Sequence, residues 1–426
     1  MKMNKPEIRF SGFSGEWGNL LFRENFDNIP NNTLSRADLN IRTGLVKNIH
    51  YGDILIKFGE LLDVKKEVIP FITDDTISTK LRSNKLQNGD VIIADAAEDE
   101  TVGKCTELIN IKDEIVISGL HTIAVRPKVQ FAPKYLGYYM NSSTYHNQLL
   151  RLMQGTKVLS ISKSAIKDTL IWSPSDKLEQ TQIGNFFQNL DQLISLHQKK
   201  YDKLVILKKA MLEKMFPKPG AKVPEIRFKG FEGDWEEILF SDFYKMGSGF
   251  AFKFQDYVDQ GIPILNGESI QHGRIENKNL KFLPFNFVFE YSDFLLRTGD
   301  IVVGLNRPVT NGNLKIAKVP AYLNNSLLYQ RAGKIVFVKD IDSNFSYVLL
   351  EKEILKHTLK EAVGSDQPFI SNTKLNNWKM LKPIDKTEAV LIGNYFQNLD
   401  NLISLNQKQL EKLKNIKKAC LEKMFV

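Results

Sequence analysis

The stretch from Ile183 to Phe216 recurs as Ile392 to Phe425, with 24 of 34 positions identical at an offset of 209. A second match lies upstream of each. Pro6-Glu7-Ile8-Arg9-Phe10, followed by Gly12-Phe13, Gly15 and Trp17, returns 218 residues later as Pro224-Glu225-Ile226-Arg227-Phe228, Gly230-Phe231, Gly233 and Trp235. Weaker echoes join Gly89-Asp90-Val91-Ile92 to Gly299-Asp300-Ile301-Val302, and Gly155-Thr156 and Ser162 to Gly364-Ser365 and Ser371. The period far exceeds the roughly 20–50 residues of a solenoid repeat, so the chain is a duplicated pair of domains. The roughly 150 residues between the matched ends differ almost everywhere. Uniform drift would have blurred the ends as much as the middle. One frame therefore carries two different contents.

Residues 177–216 and 386–425 read as long helices. Pro174 and Pro383 punctuate their starts, Pro217 closes the first, and neither has an internal proline. Apolar residues in the first fall at Ile183, Phe187, Leu190, Ile194, Tyr201, Leu204, Met211 and Met215. That is a heptad seam with His197 and Lys208 in its polar slots. The second repeats it at Ile392, Phe396, Leu399, Ile403, Leu410, Leu413, Cys420 and Met424, with Asn406 and Lys417 in those slots. His197 and Asn406 either set a register or face solvent at a stagger. Forty helical residues extend about 60 Å, too far to bury a stripe within one copy, so the helices are expected to pair with each other. Antiparallel pairing is favoured over parallel, because the chain crosses the second variable region before it starts the second helix. Phe186, Leu193, Leu196, Leu207 and Leu212 widen the stripe and predict a further packing surface.

The variable regions carry short Val-, Ile- and Phe-rich runs broken by turn signals: 53–58, 90–94, 121–125, 300–303 and 334–338. These are predicted strands. Lys134–Arg151 and Asn344–Glu361 are predicted helices. The fold class is α+β, with an internal repeat of pseudo-twofold character. The expected partition is a first recognition region at 1–175, a first repeated helix at 176–217, a second region at 218–384 and a second helix at 385–426.

Composition narrows the function. At 42% hydrophobic and 25% charged, the chain is neither collagen-like, wholly disordered nor disulfide-stapled. No apolar run approaches the roughly 18 residues of a membrane helix, and the start lacks an apolar signal core. Cys105 and Cys420, far apart, fit a reducing cytosol. Fifty-eight basic against 49 acidic residues give +9, which leans toward an anionic partner such as nucleic acid; a basic enzyme fits the charge equally well. Phosphate loops, dinucleotide fingerprints, His-Glu-x-x-His, Cys-x-x-Cys and Gly-x-Ser-x-Gly do not occur. The six histidines are scattered singly, and Glu276-Asn277-Lys278, without an upstream Asp placed on a matching hairpin, is a chance likeness to a nuclease fragment. No catalytic residue and no metal site is expected.

Two unlike globular regions, each followed by a near-identical long helix, resemble the specificity subunit of type I restriction-modification systems. The residues that carry the resemblance are the Pro-Glu-Ile-Arg-Phe leaders with Trp17 and Trp235, and Ile-Gly-Asn-(Phe/Tyr)-Phe-Gln-Asn-Leu-Asp at 183–191 and 392–400. The helix ends 208–216 and 417–425 belong to it, as do Gly155 with Ser162 and Gly364 with Ser371. It covers essentially the whole chain, and the duplicated architecture makes it specific. It implies two target recognition domains, each reading one half of a split double-stranded DNA site. The paired helices would act as a spacer and as the docking surface for two modification (methyltransferase) subunits, which bring S-adenosylmethionine. Two restriction subunits would bring the ATP- and Mg-dependent translocase and nuclease. This chain would hold none of these cofactors and would work in the cytoplasm, away from membranes.

Two unlike readers predict an asymmetric site, since a symmetric homodimer reads a palindrome. Phosphate clamps are drawn from Lys and Arg, and base readers from Arg, Lys, Asn, Gln, Ser and Thr. The first region offers Thr156, Lys157, Ser160, Ser162 and Lys163 after the Gly155 turn, with Arg82 and Lys104 in loops. The second offers Ser365, Asp366, Gln367, Ser371 and Lys374 after Gly364, and Asn306, Arg307 and Asn311 after the strand at 300–305. Phe186, Leu193, Leu196, Tyr395, Leu402 and Leu405 are expected to face partner subunits. Two rival readings remain: a two-headed protein-binding scaffold, and part of a self-contained methyltransferase or nuclease.

Overall fold

The computed structural model describes residues 4–278, 280–361 and 370–426, and the chain divides into two compact units. Unit 1 runs to Gln198 and resumes at Lys408–Val426; unit 2 is Lys199–Gln407. Each unit thus combines one globular region with the first part of the long helix that follows it and the last part of the other. The helices span Lys177–Lys214 and Lys386–Lys423, 38 residues each. In unit 1, Phe187 stacks on Phe425 with ring centroids 5.6 Å apart, and Asp191 pairs with Lys417. One number rises as the other falls, so these helical segments run antiparallel. Unit 2 repeats the arrangement, with Phe396 beside Phe216 at 6.1 Å and Asp400 paired with Lys208.

The leaders fasten the helix ends. The N–H of Ile8 donates to the carbonyl of Lys423 at 3.0 Å, and that of Ile226 to Lys214 at 2.9 Å. Each thereby satisfies a carbonyl that a helix C-terminus leaves without an internal partner. Arg9 then holds Glu179, in the first turn of its helix, through two hydrogen bonds of 2.7 and 2.8 Å. Arg227 holds Glu388 at 2.6 and 2.8 Å. Both glutamates are buried. Trp17 packs edge-on to Phe425, and Trp235 to Phe216. The glycine of each Ile-Gly-Asn lies where the helix crosses its globular region. A Cβ on Gly393 would sit 2.4 Å from the Phe345 nitrogen, and one on Gly184 would sit 3.1 Å from the Pro133 carbonyl oxygen.

The two unlike regions share a central sheet. In unit 1 its order is Phe26–Ile29, Thr122–Pro127, Val91–Ala94, Cys105–Ile109 and Leu61–Asp63, antiparallel except for the last pairing. Unit 2 has Tyr244–Ser248, Ala332–Phe337, Ile301–Gly304 and Ile316–Lys318, all antiparallel. Val91 faces Val125 in one, and Ile301 faces Ile335 in the other. The central strands are buried on both faces: Val91 and Ile93 enter one core cluster, Ile92 and Ala94 another. Doubly buried strands read as continuous apolar runs, which is how they were recognisable. A separate two-stranded pairing joins the strand after each leader to the strand before each long helix, Gly18–Leu21 with Leu170–Ser173 and Glu236–Leu239 with Lys379–Lys382.

Two local expectations fail. Residues 53–58 are not a strand; the helix Tyr51–Ile56 forms there, because the His50 ring accepts the N–H of Gly52 and caps it. Asp53 and Ile54 are its buried side, with Phe58 buried just beyond its end, while Ile56 is exposed. A run of three apolar residues, Ile54 to Ile56, does not distinguish the two periods. The helix predicted over 134–151 breaks into Tyr135–Met140 and Ser143–Leu150, with Ser142 as the cap of the second. Among the described residues, no helix is long and apolar enough to cross a membrane.

Candidate nucleic-acid interface

In unit 1 the buried strand Val91–Ala94 ends at Asp95, and three segments meet there. The Asp95 N–H donates to the His121 carbonyl at 3.1 Å, and the Asp95 carbonyl accepts from the Ile161 N–H at 2.8 Å. Just beyond, Ala96–Ala97 pairs with Leu159–Ser160. The segment that arrives from the other side is the loop foreseen after Gly155. Gln154 and Ser160 exchange two backbone hydrogen bonds at its neck. Gly155 has φ +113°, and a Cβ there would lie 2.0 Å from the Val158 carbonyl oxygen, so the loop closes only on glycine. Thr156 and Lys157 stand exposed at its tip, and Ser160 is exposed on its stem.

Beyond Ile161 the candidates are drawn into the frame. The Ser162 hydroxyl accepts the Ala165 N–H at 3.1 Å and lies 2.8 Å from that of Ser164. Lys163 donates to the Asn31 side chain at 3.0 Å, and Asn31 in turn donates to the Gly119 carbonyl at 3.4 Å. These bonds tie the loop to the turn that carries His121. His121 Nδ1 donates to Asp95 Oδ1 at 3.2 Å. Burial raises the Asp95 carboxyl above the ordinary range, against the pull of His121 and Lys163.

The Lys104 carbonyl accepts the N–H of Ala94, next to the junction, but its side chain is turned to other partners. Lys104 is half-buried rather than free in a loop: its amine donates to the Leu55 carbonyl at 2.9 Å, and burial lowers its pKa. Arg82 is exposed at the end of the helix Asp75–Leu81, which packs on the unit's second sheet through Ile77 and Leu81.

Unit 2 has the same three-way junction. Strand Ile301–Gly304 ends at Leu305, whose N–H donates to the Arg331 carbonyl at 3.0 Å and whose carbonyl accepts from Ile370 at 3.4 Å. Asn306 is half-buried and Arg307 exposed with φ +47°. Asn311 and Gly312, at φ +50° and +77°, form the two-residue tip of a hairpin between Val309–Thr310 and Asn313–Leu314; Asn-Gly suits such a tip because both residues need positive φ. Ser371 accepts the Leu375 N–H through its carbonyl at 2.9 Å, and Lys374 is paired with Glu361. Ser365, Asp366 and Gln367 lie outside the described residues. Asp95, His121 and Arg331 were not foreseen. The signal for them was the 209–210-residue offset, which also relates Asp95 to Leu305 and His121 to Arg331.

The six residues expected to meet partners sit at matching helix positions. Leu193, Leu196, Leu402 and Leu405 are exposed, at 44%, 61%, 42% and 55%. Phe186 and Tyr395 are half-buried, each edge-on to a leader ring, Phe10 at 5.8 Å and Phe228 at 6.2 Å. Among the described residues, no group of three or more His, Cys, Asp or Glu could hold a metal ion.

The model of the type I restriction modification DNA specificity domain matches residues 45–205 and again 232–415. The type I restriction enzyme MjaVIII specificity subunit of Methanocaldococcus jannaschii is 30% identical over 275 residues, which is 63% of this chain and 64% of that protein, so the match spans less than two thirds of that relative. The putative type I restriction enzyme MjaX specificity subunit of the same organism is 24% identical over 388 residues, 86% of this chain and 82% of that one. The crystal structure of the type I restriction-modification system S subunit from M. genitalium aligns over 99% of both chains with a TM-score of 0.59 at 15% identity, a likeness of fold. Matched in both of its halves by one domain model, the chain belongs to the type I restriction-modification specificity subunit family.

Proposed function

We propose that this chain supplies sequence recognition to a type I restriction-modification complex. Each unit reads one half of a bipartite, asymmetric DNA site. The two long helices pair along their length as an antiparallel coiled coil that sets the gap between the half-sites. A 38-residue helix is about 57 Å long, which bounds that gap at about 17 base pairs. The leucine face of the helices docks two modification subunits, and two restriction subunits complete the assembly. S-adenosylmethionine, ATP and Mg are held by those partners, and this chain contributes specificity without a catalytic residue. The complex acts in the cytoplasm.

The observation that carries this reading is the recurrence of one junction with different side chains: Asp95 and His121 in unit 1, Leu305 and Arg331 in unit 2. Two copies of a frame with unlike contents are what two half-sites of unlike sequence require. The test is selection from a randomised duplex library by the purified full chain. Two separated blocks of base preference are expected, with affinity falling steeply as salt rises. A single block, or no preference at low salt, overturns the reading.

A further inference from the structure

The junction fixes where one residue of each unit stands and leaves its side chain free to differ. His121 has φ +53°, a left-handed conformation costly for a non-glycine residue. The surroundings hold it there. Its carbonyl accepts from Asp95, its ring contacts the Asp95 carboxylate, and it packs roughly perpendicular to the Tyr51 ring with centroids 5.2 Å apart. The ring is 52% exposed. A carboxylate oxygen can only accept, so Nδ1 carries a proton, and in the neutral ring Nε2 is then the acceptor. Arg331 occupies the corresponding place in unit 2 and is exposed. Its backbone is equally fixed: the Arg331 carbonyl accepts from Leu305, and Gly267 approaches so closely that a Cβ there would lie 2.3 Å from that oxygen. Leu305 stands where Asp95 does, so no carboxylate at that position draws the guanidinium inward. A rigidly held backbone that presents a variable polar tip is the arrangement a base reader needs. Exposed candidates such as Lys157, at a loop tip, lack it.

We propose that His121 and Arg331 are equivalent base readers, one per unit: Arg331 contacts guanine through O6 and N7, and His121, oriented by Asp95, accepts from the exocyclic amine of adenine or cytosine. The inference rests on the DNA-reading function proposed above and names residues for it. Each residue governs one base pair of its own half-site. Asp95 is a positioning residue for His121.

The experiment compares the full-length wild-type chain with Arg331→Gln and His121→Asn on the same randomised duplex library. Asparagine tolerates positive φ, and residue 331 is exposed, so both variants keep the frame; unchanged thermal midpoints verify this. Arg331→Gln is expected to move one position of one half-site from guanine toward adenine, with about tenfold loss for the original base. His121→Asn is expected to relax one position of the other half-site by a similar factor. Equal weakening of all sequences makes these residues phosphate contacts and overturns the inference, as does an unchanged preference at every position. Either result leaves the proposed function standing if the wild type still selects two blocks. A wild-type chain without any preference overturns both.

Discussion

Lys417, near the end of the second long helix, places its Nζ 2.6 Å from Asp191 Oδ1, in the first half of the first, and 2.7 Å from Glu60 of the globular region. Lys208 does the same in unit 2, 2.8 Å from Asp400 and 3.5 Å from Glu351. Burial draws each ammonium down, but the paired carboxylates more than offset it, and both lysines stay above the ordinary value. Lys417→Met removes the cation and leaves Glu60 and Asp191 facing each other. Breaking a fully buried pair costs about 3–5 kcal/mol; partial exposure reduces the expectation to about 2–3 kcal/mol. Hydrogen exchange should quicken in the sheet of unit 1, at Leu61–Asp63, which follows Glu60, and at its neighbour Cys105–Ile109, with unit 2 unchanged. Uniform quickening in both units contradicts this local role.

The leader arginines make a second prediction. Arg9 meets Glu179 with two hydrogen bonds and reaches the Gly15 carbonyl with a third nitrogen at 2.6 Å. Arg227 meets Glu388 and the Gly233 carbonyl in the same way. A planar fork serves all three acceptors, and an ammonium cannot. Arg9→Lys is therefore expected to recover little of the stability that Arg9→Leu loses, about 2–4 kcal/mol in urea unfolding. Full recovery by lysine sinks the bidentate account.

Much of the frame was legible because its residues bind other repeated residues. Arg9 and Glu179 recur together as Arg227 and Glu388, and Gly184 recurs as Gly393 because a helix must pass close to backbone at both places. The polar seam slots of Lys208 and Lys417 were legible as spacing, but their acidic partners Glu351 and Glu60 lie far off in sequence and carry no local signal. The same holds at the interface. Gly155 announced a turn, and its loop stands where expected. Lys104 looked like a loop cation, and nothing near it in sequence reveals that Leu55 takes its amine. Asp95 and His121 meet only because two strands end side by side, which topology decides.

Glu107 yields a pH prediction. Its carboxylate accepts the N–H of Lys134 at 2.6 Å and of Gly137 at 2.8 Å, at the start of the helix Tyr135–Met140. Burial nevertheless pushes its pKa up to about 7, from 4.5 for the free side chain. An acid with a raised folded pKa binds its proton more tightly when folded. Its contribution is therefore complete at low pH and declines as pH rises from about 4.5 to about 7. The loss amounts to about 3 kcal/mol at most. Glu107→Gln is expected to be less stable than wild type at pH 5, because an amide cannot accept both N–H groups, and the gap should narrow by pH 8. Urea midpoints that stay parallel across that range refute the assignment.

The leucine face supplies the last prediction. Leu193 and Leu196 in unit 1, and Leu402 and Leu405 in unit 2, remain exposed although the seam residues Phe187, Leu190, Phe396 and Leu399 beside them are buried. Leu193 and Leu402 keep 44% and 42% of their area in water, so only part of each side chain supports the fold. Leu193→Asp with Leu402→Asp is expected to lower thermal midpoints without unfolding either unit, because each side chain is only partly covered and most point substitutions cost about 0.5–3 kcal/mol. If modification subunits dock here as proposed, each aspartate must be desolvated without a partner in that apolar contact, so association should weaken at least a hundredfold. Phe186 and Tyr395 offer a contrast. Each is wedged against a leader ring, so Phe186→Asp is expected to lower stability and assembly together. Co-purification of the modification subunits with the double leucine variant at wild-type stoichiometry would place the docking surface elsewhere.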